Sequence, residues 1–268
     1  MKTVVITGSA RGFGFELAKV FRKNDFNVVL SDINEGGLEQ AKELLLKVES
    51  EAIVECFVCD VTNLDMIQNL WDYAKQKFEN VDMWINNAGV NQPNKPVYEL
   101  TGEEVEFLMN VDLKGTIFGS KVAFKGMKEQ GFGQIFNVEG YGSNDATMTG
   151  LSIYGTAKRA VTYFTQALAK ESKEIANNVV LVGRLAPGIM ITNFIKTANG
   201  GKTTIELEAK TKKIYNILGD YPQTIAEYVV PKMIANNKNN KRIIWLSNAR
   251  AFRKFFSFMF KKRDFFKE

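Results

Sequence analysis

The sequence predicts an α/β protein: a doubly wound parallel sheet in a single domain. Three observations carry this. A short β-branched run at 3–7 opens directly into a glycine-rich turn and an amphipathic helical stretch. Apolar strand-like runs and helical periodicities then alternate through the first 90 residues, the rhythm of successive β-α units. At 268 residues with 45% hydrophobic and 24% charged side chains, the chain can fill one large core.

The first strand ends in Thr7-Gly8-Ser9-Ala10-Arg11-Gly12-Phe13-Gly14, and a helix follows with Phe15, Leu17, Ala18 and Phe21 as apolar members. Glycines at a strand-to-helix junction let the backbone approach a pyrophosphate, whose charge then rests on the helix N-terminus. The strand at 27–30 leads to Ser31-Asp32-Ile33, with Asp32 18 residues after Gly14. An acid there is placed to accept hydrogen bonds from the ribose hydroxyls of an adenine dinucleotide. Its charge repels a 2′-phosphate and favours NAD over NADP, with Arg11 pulling the other way. A helix at 35–49 and a strand at 53–59 come next, then a helix at 63–78 with Thr62 expected as its N-cap and Asp65 three residues on. The strand at 81–85 runs into Asn86-Asn87-Ala88-Gly89, at the strand end where open α/β sheets place their ligands.

Composition removes several classes. The chain has no histidine, which excludes Ser-His-Asp and Cys-His mechanisms and the commonest metal ligand. Its two cysteines, Cys56 and Cys59, fall in a strand three residues apart, on opposite faces and too distant to bridge, so both read as core thiols; no metal site is expected. Net charge is +5, yet residues 241–268 hold nine Lys/Arg against two acids, a surplus of seven, so the body is slightly acidic and no nucleic acid is expected as a partner. No apolar run reaches the ~18–20 residues of a membrane span, and the N-terminal residues lack a signal-peptide layout, which points to a cytoplasmic location.

Further along, a helix spans 103–128 and contains Met109-Asn110-Val111-Asp112; a strand ends at Asn137; and a long helix at 152–176 carries Tyr154-Gly155-Thr156-Ala157-Lys158 near its start. A Tyr and a Lys four apart share a helix face. A neighbouring ammonium favours the phenolate and is expected to bring the phenol toward the range of a general acid/base. A strand at 178–184 precedes Pro187-Gly188-Ile189, and a helix at 222–236 and a strand at 242–246 close the sheet.

Taken in order, Thr7-Gly8-x-x-x-Gly12-x-Gly14, Asp60, Asn87-Ala88-Gly89, Asn110, Tyr154-x-x-x-Lys158 and Pro187-Gly188 with Thr192 resemble the short-chain dehydrogenase/reductase family over nearly the whole chain. The resemblance implies a Rossmann-type fold, an NAD(P)-dependent oxidoreductase interconverting a carbonyl and an alcohol, and assembly as a homodimer or homotetramer. It implies that Tyr154 is the acid/base and that Lys158 holds the nicotinamide ribose and tunes Tyr154. Asn110 would bind a water of a proton relay. Asp60 and Val61 would flank the adenine, and Pro187, Gly188, Ile189 and Thr192 would meet the nicotinamide amide.

One departure stands out. The family places a serine 13 residues before the tyrosine, and here residue 141 is Tyr, within Asn137-Val138-Glu139-Gly140-Tyr141-Gly142-Ser143. Either Ser143 takes the role from a re-routed loop, or the serine is absent and catalysis is weakened, leaving a non-catalytic dinucleotide-binding or regulatory protein. This segment with Tyr154 and Lys158 is also similar to the chlorophyll(ide) b reductase-like branch of the family. Residues 189–221 are expected to form a substrate lid, where Phe194, Ile195, Ile205 and Leu207 suit an apolar substrate as well as they suit ordinary helix packing. The domain is expected to end near 248. In 249–268 an apolar stripe of Phe252, Phe255, Phe256, Met259 and Phe260 recurs at helical spacing among Arg and Lys, and suits a peripheral membrane contact, or packing on a partner subunit or on its own domain.

Overall fold

The computed structural model describes residues 1–93, 95–192, 209–260 and 263–266. Seven parallel strands form one sheet in the order β3-β2-β1-β4-β5-β6-β7. They are β1 (Lys2–Thr7), β2 (Phe26–Asp32), β3 (Val54–Val58), β4 (Met83–Asn86), β5 (Gly133–Val138), β6 (Val180–Ala186) and β7 (Arg242–Ile244). Helices α1 (Gly12–Lys23) and α2 (Glu35–Leu46) lie on one face with α8 (Pro222–Ile234), and α3 (Leu64–Phe78), α5 (Thr116–Gln130) and α6 (Ser152–Ile175) on the other. Helices α4 (Gly102–Leu108), α7 (Ala209–Leu218) and α9 (Asn248–Phe260) are also present among the described residues. The expected doubly wound sheet is the one observed.

Burial on both faces explains why the strands read as continuous apolar runs instead of alternating ones. In β1, Val4 and Ile6 join the core beneath α1 and α8, while Val5 faces the opposite core with Trp71, Trp84 and Ile135. Cys56 packs on the first core and Cys59 sits in the second, so the two thiols lie on opposite sides and both are free. The order reverses at β1, between β2 and β4, and the C-terminal ends of the strands at this switch point are where open α/β sheets place their ligands.

Two local expectations are corrected. The N-cap of α3 is Asn63, whose side chain accepts from the N–H of Asp65 and Met66; Thr62 is drawn away because Asp60 accepts from both its N–H and its hydroxyl. The helix expected over 103–128 is interrupted by a π-helical segment, Met109–Gly115, between α4 and α5. Such a segment adds a residue to the turn and re-aims the side chains around it.

Candidate active site

At the switch point the glycine turn and the end of β4 are clamped together. Asn87 Nδ2 donates to the carbonyls of Thr7 (3.0 Å) and Gly8 (2.8 Å), and the Thr7 hydroxyl accepts from the N–H of Asn87 and of Ala88, both at 3.1 Å. The approach is so close that a Cβ on Gly8 would fall 2.6 Å from Ala88 Cα. Gly12, at φ +63°, faces open space and is exposed. Arg11, the exposed N-cap residue of α1, offers no side-chain cap to the helix, and the first turn holds no acid. The first-turn N–H groups of a helix lack intrahelical acceptors, so these residues fit an anionic pyrophosphate. Phe13 is buried in the core under the loop, so only its backbone faces this place.

Asp32 accepts from Ala10 N–H (3.2 Å) and Asn34 N–H (3.1 Å), fixing a carboxylate beside the turn, and Ile33 next to it is exposed. Asp60 is half-buried at the end of β3, and buried Val61 packs where a Cβ on Gly115 would lie 2.8 Å from its Cγ2. Pro187 is buried and Gly188 exposed beyond β6; Ile189 receives the N–H of Asp220 at 3.1 Å, and Thr192 is half-buried. Phe194, Ile195, Ile205 and Leu207 lie outside the described residues.

The tyrosine–lysine pair stands at the start of α6. Leu151 gives that helix no side-chain cap; the buried amide of Gln92 does so, accepting from Ile153 N–H (2.8 Å) and Tyr154 N–H (3.1 Å). One turn on, Lys158 is buried with its Nζ 5.5 Å from the Tyr154 ring centre. From the π-helical segment comes Asp112, fully buried, whose Oδ2 pairs with Lys158 Nζ at 2.8 Å while Oδ1 accepts from Val90 N–H at 2.7 Å. Gly89 lies against both charges, a Cβ there falling 3.4 Å from each. The Asn-Asn-Ala-Gly turn therefore touches the glycine loop on one side and the Lys158–Asp112 pair on the other. Asn110 is half-buried two residues before Asp112; of the expected relay segment, Asp112 is the residue that reaches Lys158.

Burial pushes the Tyr154 phenol up to about 12 against the opposing pull of Lys158, and Asp112 and Tyr215 add to the rise. The expected lowering by Lys158 is thus outweighed, because its ammonium is shared with a carboxylate and the phenol is desolvated. Burial alone would lower Lys158, but Asp112 and Tyr154 outweigh it and hold the ammonium above its ordinary range. Burial pushes the Asp112 carboxyl up, over the counter-pull of Lys158 and the Val90 amide.

The loop after β5 takes an unexpected course. Glu139 is buried; its Oε2 accepts from Arg242 Nε at 2.7 Å, and its Oε1 accepts from the Thr162 hydroxyl at 3.1 Å, with Arg184 3.7 Å away. Gly140 then passes against the phenol, where a Cβ would lie 2.3 Å from Tyr154 Oη and 2.9 Å from Lys158 Cγ. Tyr141 turns outward and donates to the Thr147 carbonyl. Ser143 is buried, but its hydroxyl donates to the Lys158 carbonyl (3.3 Å) and accepts from Gly140 N–H (3.2 Å). The position bordering the phenol is therefore Gly140, with Ser143 fastening the loop to α6. Asp112, Gln92 and Glu139 were not singled out from the sequence. The one available signal was that each is a polar side chain within or beside an otherwise matched motif.

The glycine turn clamped to the end of β4 at the switch point, with half-buried Tyr154 and buried Lys158 beside it, has the layout of a nucleotide-dependent oxidoreductase. The family described as short chain dehydrogenase matches residues 2–202, and the chain belongs to it. A chloroplastic chlorophyll(ide) b reductase of Oryza sativa subsp. japonica is 33% identical over 260 residues, covering 95% of this chain and 74% of that protein. A diacetyl reductase [(S)-acetoin forming] of Staphylococcus epidermidis is 32% identical over 194 residues, covering 72% of this chain and 73% of its own. The crystal structure of levodione reductase superposes with a TM-score of 0.81 at 24% identity, covering 93% of this chain and 98% of that one, which shows the shared fold. The likeness to chlorophyll(ide) b reductases read from the 137–158 segment thus extends over nearly the whole chain.

Proposed function

We propose that the protein reduces a carbonyl to an alcohol on an apolar small molecule, and runs the reverse reaction, with a nicotinamide dinucleotide held across the switch point. The carrying observation is the Tyr154–Lys158–Asp112 constellation, joined through Gly89 to the turn that Asn87 clamps onto the glycine loop. The dinucleotide, when bound, supplies or accepts the hydride. The chain's own residues supply the rest. With its pKa near 12 the Tyr154 phenol is protonated at neutral pH, so it donates a proton to the substrate oxygen, and carbonyl plus hydride plus proton gives the alcohol. Lys158 stabilises the phenolate left behind and is itself held in place by Asp112.

No hydroxyl is offered to the phenol by Gly140, so the substrate oxygen is held by Tyr154 without the family's serine, and Ser143 serves the loop. Asp32, fixed by the Ala10 amide, favours NAD(H); exposed Arg11 leaves NADP(H) as the alternative. The relative from Oryza sativa supports an apolar carbonyl substrate by its name.

The test is fluorescence titration with NADH and NADPH, followed by turnover on a panel of apolar aldehydes and ketones. Tyr154→Phe should keep nucleotide binding and lose about 10²–10⁴-fold in turnover. Turnover unchanged in that variant would refute the assignment, and tight binding with no turnover on the whole panel would favour a dinucleotide-binding regulator.

A further inference from the structure

Helix α9 is mounted the wrong way round for a surface helix. An amphipathic helix normally turns its apolar stripe to the body and its charges to water. Here the basic side is gripped by the body. The Arg250 guanidinium stacks 3.7 Å from the Trp245 ring centre and 4.2 Å from that of Tyr228, and Lys254 pairs with Asp220. Beyond the helix, Arg263 reaches Asp220 Oδ1 at 3.2 Å and the Ile217 carbonyl at 2.8 Å. The opposite side of α9 is bare: Phe252 is 75% exposed, Phe255 61%, Phe256 56%, Met259 69% and Phe260 79%. A contiguous patch of large apolar side chains on a soluble surface marks a binding site.

We infer that this face lies in the interface of an anionic lipid surface and holds the protein there as a peripheral protein. Charge complementarity selects this occupant. Arg253 is exposed at the border of the stripe, and in sequence Lys261, Lys262 and Lys267 follow it, so cations flank the bare face in addition to Arg242, Arg250, Lys254 and Arg263, which are turned to the body. Phenylalanines enter the acyl boundary, and flanking cations meet the headgroup phosphates. Among the described residues no helix is long and apolar enough to cross a membrane, so this one lies on the surface. Asp220 also fixes where the anchor sits. The same residue that takes Lys254 and Arg263 donates its N–H to the Ile189 carbonyl at 3.1 Å and accepts from the Ile191 N–H at 3.0 Å, just beyond the Pro187-Gly188 turn.

The test is co-sedimentation of the full chain with phosphatidylcholine vesicles, with and without about 30 mol% phosphatidylglycerol. The wild type should pellet with the anionic vesicles, weakly with the neutral ones, and less as salt rises. Phe255→Ser/Phe256→Ser/Met259→Ser should lower the partition by at least about tenfold at unchanged melting temperature, since these side chains support no core. As a second readout, a Phe256→Trp variant should shift its emission to the blue on anionic vesicles and be quenched by brominated lipid. A wild type that stays in the supernatant, a triple variant that binds as well as the parent, or a Phe256→Trp emission blind to brominated lipid overturns the inference. So does a dimer, seen by light scattering, that the triple variant converts to monomer without any vesicle binding: the stripe would then be covered by a second copy.

Discussion

Asp112→Asn isolates the charge that the fold places under the tyrosine–lysine pair. The amide keeps an oxygen for the Val90 N–H but removes the counter-charge of Lys158, which remains buried. Two unit charges 2.8 Å apart attract by about 6 kcal/mol at an effective dielectric of about 20. Desolvation of both offsets most of that, so the pair adds little net stability, whereas removing one member strands the other at a cost of about 3–5 kcal/mol. For a chain of this size about 2 °C accompany each kcal/mol, which gives a fall in Tm of roughly 6–10 °C. The pH dependence separates this cause from a packing defect. In the wild type Lys158 is raised, so its contribution is intact below the ordinary lysine range and is lost as pH rises through the raised value. In the variant burial dominates, Lys158 falls below its ordinary value, and stability recovers as pH climbs toward that value. The gap in Tm between the two proteins should therefore be widest near pH 7 and narrow toward pH 10, as followed by differential scanning fluorimetry. Equal melting temperatures, or a gap that stays constant over that range, would refute the ion-pair reasoning.

Gly140→Ala should displace the phenol, since the new methyl falls 2.3 Å from Tyr154 Oη; turnover should drop by about 10²-fold or more, with NADH affinity retained in the titration. Glu139→Ala removes the carboxylate that Arg184 and Arg242 share, and should lower Tm by about 6–10 °C for the same reason as Asp112→Asn. Burial pushes the Cys59 thiol up to about 12, with Ser31 opposing and Asp60 assisting. That contribution is intact below the ordinary thiol range and is lost as pH rises above it. Urea melts should thus lose up to about 1.4 kcal/mol per pH unit between pH 9 and 11, a slope that Cys59→Ala should flatten.

The parts legible in the sequence are those whose signal is local. The strand at 3–7 with its glycine turn and helix, the Asn86–Gly89 strand end and the Tyr154–Lys158 spacing each show in a short run of consecutive residues, where apolar pattern, glycine placement and spacing reveal them. What escaped depends on partners brought from afar. Asp112 owes its position to Val90, 22 residues earlier, and to Lys158 on another helix. A π-helical turn has no composition of its own, so Asn110 and Asp112 could not be ranked by spacing along an assumed regular helix. Asn63 and Thr62 are both good caps, and only Asp60, by engaging Thr62, decides between them. The stripe in α9 was periodic in the sequence, but which of its two faces meets the body is set by Asp220 and Trp245, which periodicity cannot see.

The course of the loop after β5 is set by two consecutive residues, Glu139 and Gly140. Glu139 is held by β6 through Arg184, by β7 through Arg242 and by α6 through Thr162, and its own N–H donates to the Leu185 carbonyl at 2.8 Å. Those four ties draw the following residue onto Tyr154, leaving no room for a side chain at 140. The loop then stays close to α6: a Cβ on Gly142 would fall 2.5 Å from Gly155 Cα, and the Ser143 hydroxyl is committed to the Lys158 carbonyl. A serine introduced at 140 alone would meet the phenol before it could help place a substrate. A serine at 139 would leave two arginines without their carboxylate. Placing a serine hydroxyl beside the phenol from position 139 or 140 therefore requires the backbone to move away from α6, and that movement would break the contacts that now fix the loop beside Lys158.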